Sequence, residues 1–170
     1  DEDEIKSYKL EHSKDELEKY KKIPDQYEYR LELIYRWMED ENIHRKSLRA
    51  VVGRGGLLRP IPGGTYFVTD KMVEDLELGI GGEHASNLGG VLAKGIADRE
   101  GIKSYIVDPV SVDEFRDVAR ISGLKEIERK SQIHALNIKA VSYRRAKELN
   151  KSLEDLNLIV AHLGRSEERR

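Results

Sequence analysis

The stretch that most restricts this chain is residues 51–66, VVGRGGLLRPIPGGTY, where five glycines, two prolines and two arginines follow a β-branched pair. Proline lacks the N–H of a regular ladder or helix, and glycine tolerates backbone angles that other residues avoid. The segment therefore reads as a short strand that stops at Gly53 and turns into a loop of nearly bare backbone. Gly53, Gly55 and Gly56 let that loop approach a neighbour closely and present its N–H groups to an anion. Arg54 sets a planar donor fork into it, suited to carboxylate or phosphate. The loop is not a dinucleotide fingerprint. Counting from Gly53, Gly55 has the right spacing, but the sixth position is Leu58. Nor does a Gly-x4-Gly-Lys-Ser/Thr string occur. Gly63 and Gly64 are read as turn formers.

The rest of the chain must supply the fold around this loop. Its 170 residues suit one domain, or a piece of a larger one, and the apolar share of 38% is enough for a core. A net charge of −2, with acids and bases interleaved, points away from nucleic acid and from a membrane surface. No cysteine is present, which excludes disulfides and thiolate metal sites. No apolar run approaches the roughly 20 residues of a membrane helix. The opening DEDEIKSYKL lacks the layout of a signal peptide, and a cytoplasmic location is expected.

Periodicity predicts alternating strands and helices, an α/β class. IKSYKLE alternates like a half-exposed strand. Ser13 and Glu16 have capping-box spacing for a short helix. Pro24 opens a second helix with Tyr27, Leu31, Ile34 and Met38 on its apolar face, and Trp37 is read as a packing residue. LRAVV, KSYIVD and NLIVAHLG read as buried strands. DKMVEDLEL reads as a helix, and Ala85, Leu88, Leu92 and Ile96 mark another that closes at Gly101. VDEFRDVARISG reads as a helix stopped by Gly123. Leu136, Ala140, Tyr143, Ala146 and Leu149 form the stripe of a long helix, and Ser152 with Asp155 offers another cap.

Three of these strands end in polar or glycine-bearing residues: Gly53-Arg54, Asp108-Pro109 and His162-Leu163-Gly164. Ligands of open α/β sheets gather at the carboxyl ends of strands. Arg54, Asp108 and His162 are thereby candidates for one site, the alternative being ordinary loop residues. His12 and His44 sit among charges and read as surface residues. His84 lies in GEHASN at a helix start, where Ser86 or Asn87 is equally available as functional or capping group. His134 precedes a helix, where a lone histidine is more often structural than catalytic. No His, Asp or Glu spacing suggests a resident metal, so a divalent ion is expected only with a nucleotide.

Five segments taken together, VVGRGGLLRPIPGGTY, GIGGEHASNLGGVLAKGIA, YIVDPVSVDEFRDVARISGL, KSQIHALNIKAV and LIVAHLG, resemble the butyrate kinases of the acetate kinase family. That family belongs to the actin-like, sugar kinase and heat-shock ATPase superfamily. The resemblance implies an incomplete ribonuclease-H-like (actin-like ATPase) domain, a mixed sheet with flanking helices. It implies phosphoryl transfer between ATP, with Mg, and butyrate or a related short-chain carboxylate, giving an acyl phosphate and ADP. By resemblance Arg54 grips the carboxylate or phosphoryl oxygens, His134 donates to the transferring group, and Asp108 orients cations or the attacking carboxylate. His84, Asn87, Gly53, Gly55 and Gly56 fall on the substrate side. His162, Leu163 and Gly164 match the opening of a nucleotide-phosphate loop. Residues 1–164 then correspond to the N-terminal, acyl-substrate-side lobe without its first strand and phosphate loop, and 165–170 to a charged tail. The chain alone is expected to be inactive, with a homodimer as its possible partner state. The second reading is a non-catalytic lobe or assembly piece that binds acyl or phosphate anions without turnover.

Overall fold

The structure is a computed structural model and describes residue Glu4 and residues 6–161. A short helix, α1 (Lys14–Leu17), begins where the Ser13 side chain accepts the Glu16 N–H. Pro24 starts a 3-10 turn, Pro24–Gln26, that runs straight into α2 (Tyr27–Asp40). The strands β1 (Ala50–Gly53) and β2 (Thr65–Phe67) flank the glycine loop. Then come α3 (Asp70–Glu77), capped by Thr69, and α4 (Asn87–Glu100), which ends at Gly101 in the left-handed conformation. β3 (Lys103–Val107), the four-residue α5 (Asp117–Arg120) and α6 (Ala135–Glu148) complete the order.

The sheet is mixed and runs β1-β3-β2. β1 lies parallel to β3, with Gly53 opposite Ile106, and β2 lies antiparallel to β3, with Tyr66 opposite Ile106. Among the described residues only one face is covered. Val51, Tyr66 and Ile106 point into the core, whereas Val52 is 62% and Phe67 55% exposed. The strands are thus half-buried and alternating, not fully buried as the apolar runs RAVV and SYIV predict, because helices pack on a single side.

Two apolar clusters hold this face together. Leu58, Val68, Leu76, Val91 and Ile106 form one, and Leu31, Tyr35, Met38 and Ile96 the other. α4 contributes Val91 to the first and Ile96 to the second, and Tyr27 packs against both. The expected stripes thus supply Leu31 and Met38 of α2 and Ile96 of α4 to the core, but they omit Tyr35 and Val91, and Ala85 lies exposed ahead of α4.

Four expectations are corrected. Residues 6–11 of IKSYKLE form no strand. They lie on α2 instead, where Lys6 Nζ pairs with Glu41 at 2.6 Å and Tyr8 stacks on Trp37 at 6.0 Å. VDEFRDVARISG yields only α5. Val118 and Ile121 are exposed, so the apolar stripe has nothing to pack against, and a helix of this length needs packing. A side-chain clamp orders the segment in its place: Arg120 grips Asp113 at 2.9 and 3.0 Å, and the Phe115 N–H donates to the same carboxylate. Residues 157–161 of NLIVAHLG form no strand, and Ile159 is fully exposed; the remainder of that run, with His162, Leu163 and Gly164, lies outside the described residues. On α6 it is Ala135, Ser142 and Ala146 that are buried, while Tyr143 of the expected stripe faces solvent.

Candidate functional site

Parallel pairing decides which loops meet. Because Gly53 is in register with Ile106, β1 and β3 end side by side, and Arg54 and Asp108 leave the sheet at the same edge. A cleft of about 440 Å³ opens there, lined by Arg30, Arg54, His84, Asp108 and His134, with Leu88, Leu92, Val110 and Leu136 as apolar wall. Four side chains singled out in the sequence, from separate segments, thus face one cavity, as does Gly55.

Close packing at the loop explains its glycines. A side chain on Gly53 would run into the Gly89 carbonyl of α4. Gly55 has φ +72°, and a Cβ there would lie 2.8 Å from that of Pro109. The loop is therefore pressed against both the helix and the end of β3. Arg54 is exposed and makes no hydrogen bond or ion pair among the described residues, so its donors face the cleft and solvent.

Asp108 is held differently. Its φ of +39° is in the left-handed region, which costs a non-glycine residue free energy unless its surroundings fix it. Two bonds to Gly64 do so: the Asp108 N–H donates to Gly64 O at 3.0 Å, and the Gly64 N–H donates to Asp108 Oδ1 at 2.9 Å. Lys139 of α6 pairs with the same oxygen at 3.3 Å and with Glu114 at 2.9 Å. The Lys139 bond holds the Glu114 carboxyl below its usual range. Burial works against the Lys139 charge, but Glu114 and Asp108 outweigh it and raise the lysine above its ordinary value. Gly63, whose N–H donates to Glu114 at 3.0 Å, belongs to the same strap. Gly63 and Gly64 are thus more than turn formers. Lys139 lies within the segment KSQIHALNIKAV, but nothing in the spacing assigns it a role.

The histidines supply directional donors. His84 Nδ1 accepts the Ser86 backbone N–H at 3.1 Å, so the neutral ring carries its proton on Nε2. His134 occupies the N-cap position of α6 on the cleft wall. Asn87 lies elsewhere. It is buried, its Nδ2 donates to Leu76 O and Gly82 O, and its Oδ1 accepts from the Leu57 N–H. It fastens the glycine loop to α3 and α4 from behind the cleft, with Gly56 packed on its Cα.

The donor set fits an anion with a short apolar tail. It does not fit a resident metal: Asp108 is the one carboxylate on the cleft wall and is bonded to Lys139, and no group of three or more His, Asp or Glu gathers among the described residues. No described helix is long and apolar enough to cross a membrane.

No family model matches the chain. It is 56% identical over 163 residues to butyrate kinase 2 of Clostridium acetobutylicum, covering 96% of this chain and 46% of that protein. It is also 56% identical over 164 residues to butyrate kinase 1 of the same organism. Against a probable butyrate kinase 2 of Caldanaerobacter subterraneus the identity is 52%, with the same coverage of both chains. The chain thus spans about half the length of the curated relatives it matches.

Proposed function

We propose, on the premise that this chain is homologous to the butyrate kinases over nearly all its length, that its cleft is the acyl-side half of a site for phosphoryl transfer between ATP and a short-chain carboxylate. The observation that carries this reading is the gathering of Arg54, His84, Asp108 and His134 around one cavity with an aliphatic wall. A carboxylate is ionised at neutral pH and needs no base to attack phosphorus. As its oxygen bonds to the γ-phosphorus, the bond to the ADP oxygen breaks, and charge spreads over the equatorial oxygens. The protein's task is alignment and stabilisation of that charge. Arg54 holds the carboxylate or phosphoryl oxygens, and the His134 and His84 rings supply further donors. Leu88, Leu92, Val110 and Leu136 enclose the alkyl tail. Asp108, tied to Gly64 and Lys139, fixes the loop after β3 instead of acting as a base. Mg accompanies ATP in such chemistry, but the described residues offer it no cage. The described residues then belong to the substrate-side lobe of an actin-like domain.

One observation favours a second reading for the chain by itself. Arg54 and His84 are exposed to solvent, and electrostatic stabilisation is strong only in a water-excluded site. The isolated chain then binds butyrate or butyryl phosphate without turnover. Titration calorimetry with butyryl phosphate, paired with an acyl-phosphate assay from ATP and butyrate, tests both. Binding weakened about tenfold or more by Arg54→Met supports the cleft. Absence of binding overturns it, and turnover abolished by His134→Ala overturns the inactive-lobe reading in favour of a working kinase.

A further inference from the structure

We propose that Arg30 is a second anion-binding residue of this cleft, with Gln26 and His12 as positioning residues that aim its guanidinium; this rests on the anion-binding reading above. Arg30 stands on the first turn of α2 and lines the cavity with Arg54. Its Nε and Nη2 both donate to Oε1 of the buried Gln26, at 3.0 and 2.9 Å. Its Nη1 lies 2.8 Å from Nε2 of His12. An arginine only donates, so the imidazole must accept there, which makes His12 neutral with its proton on Nδ1. That nitrogen donates in turn to Tyr29 Oη at 3.2 Å. Burial, reinforced by the Arg30 charge, holds the His12 ring below its ordinary value, in keeping with an acceptor.

Each of these partners is neutral. Among the described residues no carboxylate pairs with Arg30, although the guanidinium is half-buried. A desolvated charge without a counter-ion is unfavourable and is normally paired. Three of its five N–H groups are committed, which leaves one on each terminal nitrogen for a guest. Two such N–H groups match the two oxygens of a carboxylate or two of a phosphate. Nothing in the sequence flagged Arg30, whose neighbours in DQYEYRLEL read as an ordinary helix. His12 reads there as a surface residue, yet it is half-buried.

The test is calorimetric titration of the whole chain with inorganic phosphate and with butyrate, alongside Arg30→Met, Arg30→Lys, Arg54→Met and the solvent-face control Arg36→Met. The expected result is a loss of about tenfold or more in affinity for Arg30→Met and a smaller loss for Arg30→Lys, with Arg36→Met unchanged. His12→Leu should weaken binding while His12→Gln, which keeps an acceptor, restores it, a contrast that a merely structural role would not give. Weakening by Arg54→Met but not by either Arg30 variant overturns the proposal and leaves the cleft reading standing. Equal loss in Arg36→Met reduces the effect to long-range charge and overturns it as well. If neither anion binds the unaltered chain, the cleft reading falls and takes the proposal with it.

Discussion

At Asp108 a left-handed backbone, a carboxylate and a lysine partner coincide. Asp108→Ala keeps the unfavourable φ, at a cost of about 1–2 kcal/mol, and removes the acceptor for the Gly64 N–H. Asp108→Asn tolerates the left-handed region and keeps an acceptor oxygen. Urea unfolding should therefore find the alanine variant less stable than the asparagine variant by about 1–2 kcal/mol. Equal midpoints would show that the φ of Asp108 carries no cost. Arg54 and Asp108 are marked in the sequence by a glycine loop and a strand end, whereas His84 and His134 stand at helix starts and are singled out only by the family resemblance. Lys139 and Arg30 sit inside regular helices, where spacing says only that they face outward.

Elements were legible where an apolar face finds a partner and illegible where it does not. α4 and α2 followed their periodicity because each packs in the core, while the run at 112–123 shows the same periodicity with no surface to receive it. β2 is illegible because three residues after a double glycine carry too short a pattern. The seam between β1 and α4 gives one prediction. Gly53→Ala would drive a methyl into the Gly89 carbonyl and force helix and strand apart. A loss of about 1–3 kcal/mol in unfolding free energy is expected, together with weakened butyryl phosphate binding. A second concerns α3, where the buried Asp75 carboxylate pairs with Arg59 at 2.9 Å and Lys71 at 3.3 Å. The Arg59 bond leads in lowering its pKa below the ordinary 3.8. A depressed carboxyl stabilises the fold fully above that value and ceases to do so as pH falls through the lower one. Asp75→Asn should lower the melting temperature at pH 7 and lessen its fall on acidification below about pH 4. Parallel melting curves for both proteins across that range would count against the pairing.

At the scale of the whole molecule, the described residues cover the sheet on one side only. Val52 and Phe67 lie on its bare face, beside Tyr105, whose ring is 4.7 Å from that of Phe67. Contiguous apolar surface of this kind favours contact with another protein surface. Sedimentation should show concentration-dependent self-association that Val52→Thr with Phe67→Thr reduces; a monomer at every concentration would contradict this. The fold class was readable from alternating strands and helices, but the one-sidedness was not, since nothing in an apolar run says which of its faces will be covered. The parallel pairing of Gly53 with Ile106 has a kinetic meaning too. It joins segments far apart along the chain, and such closures come late in folding because much chain entropy must be surrendered first. A refolding molecule should therefore stay blind to phosphate until that distant pairing forms, so that ligand capture reports the final stage of assembly.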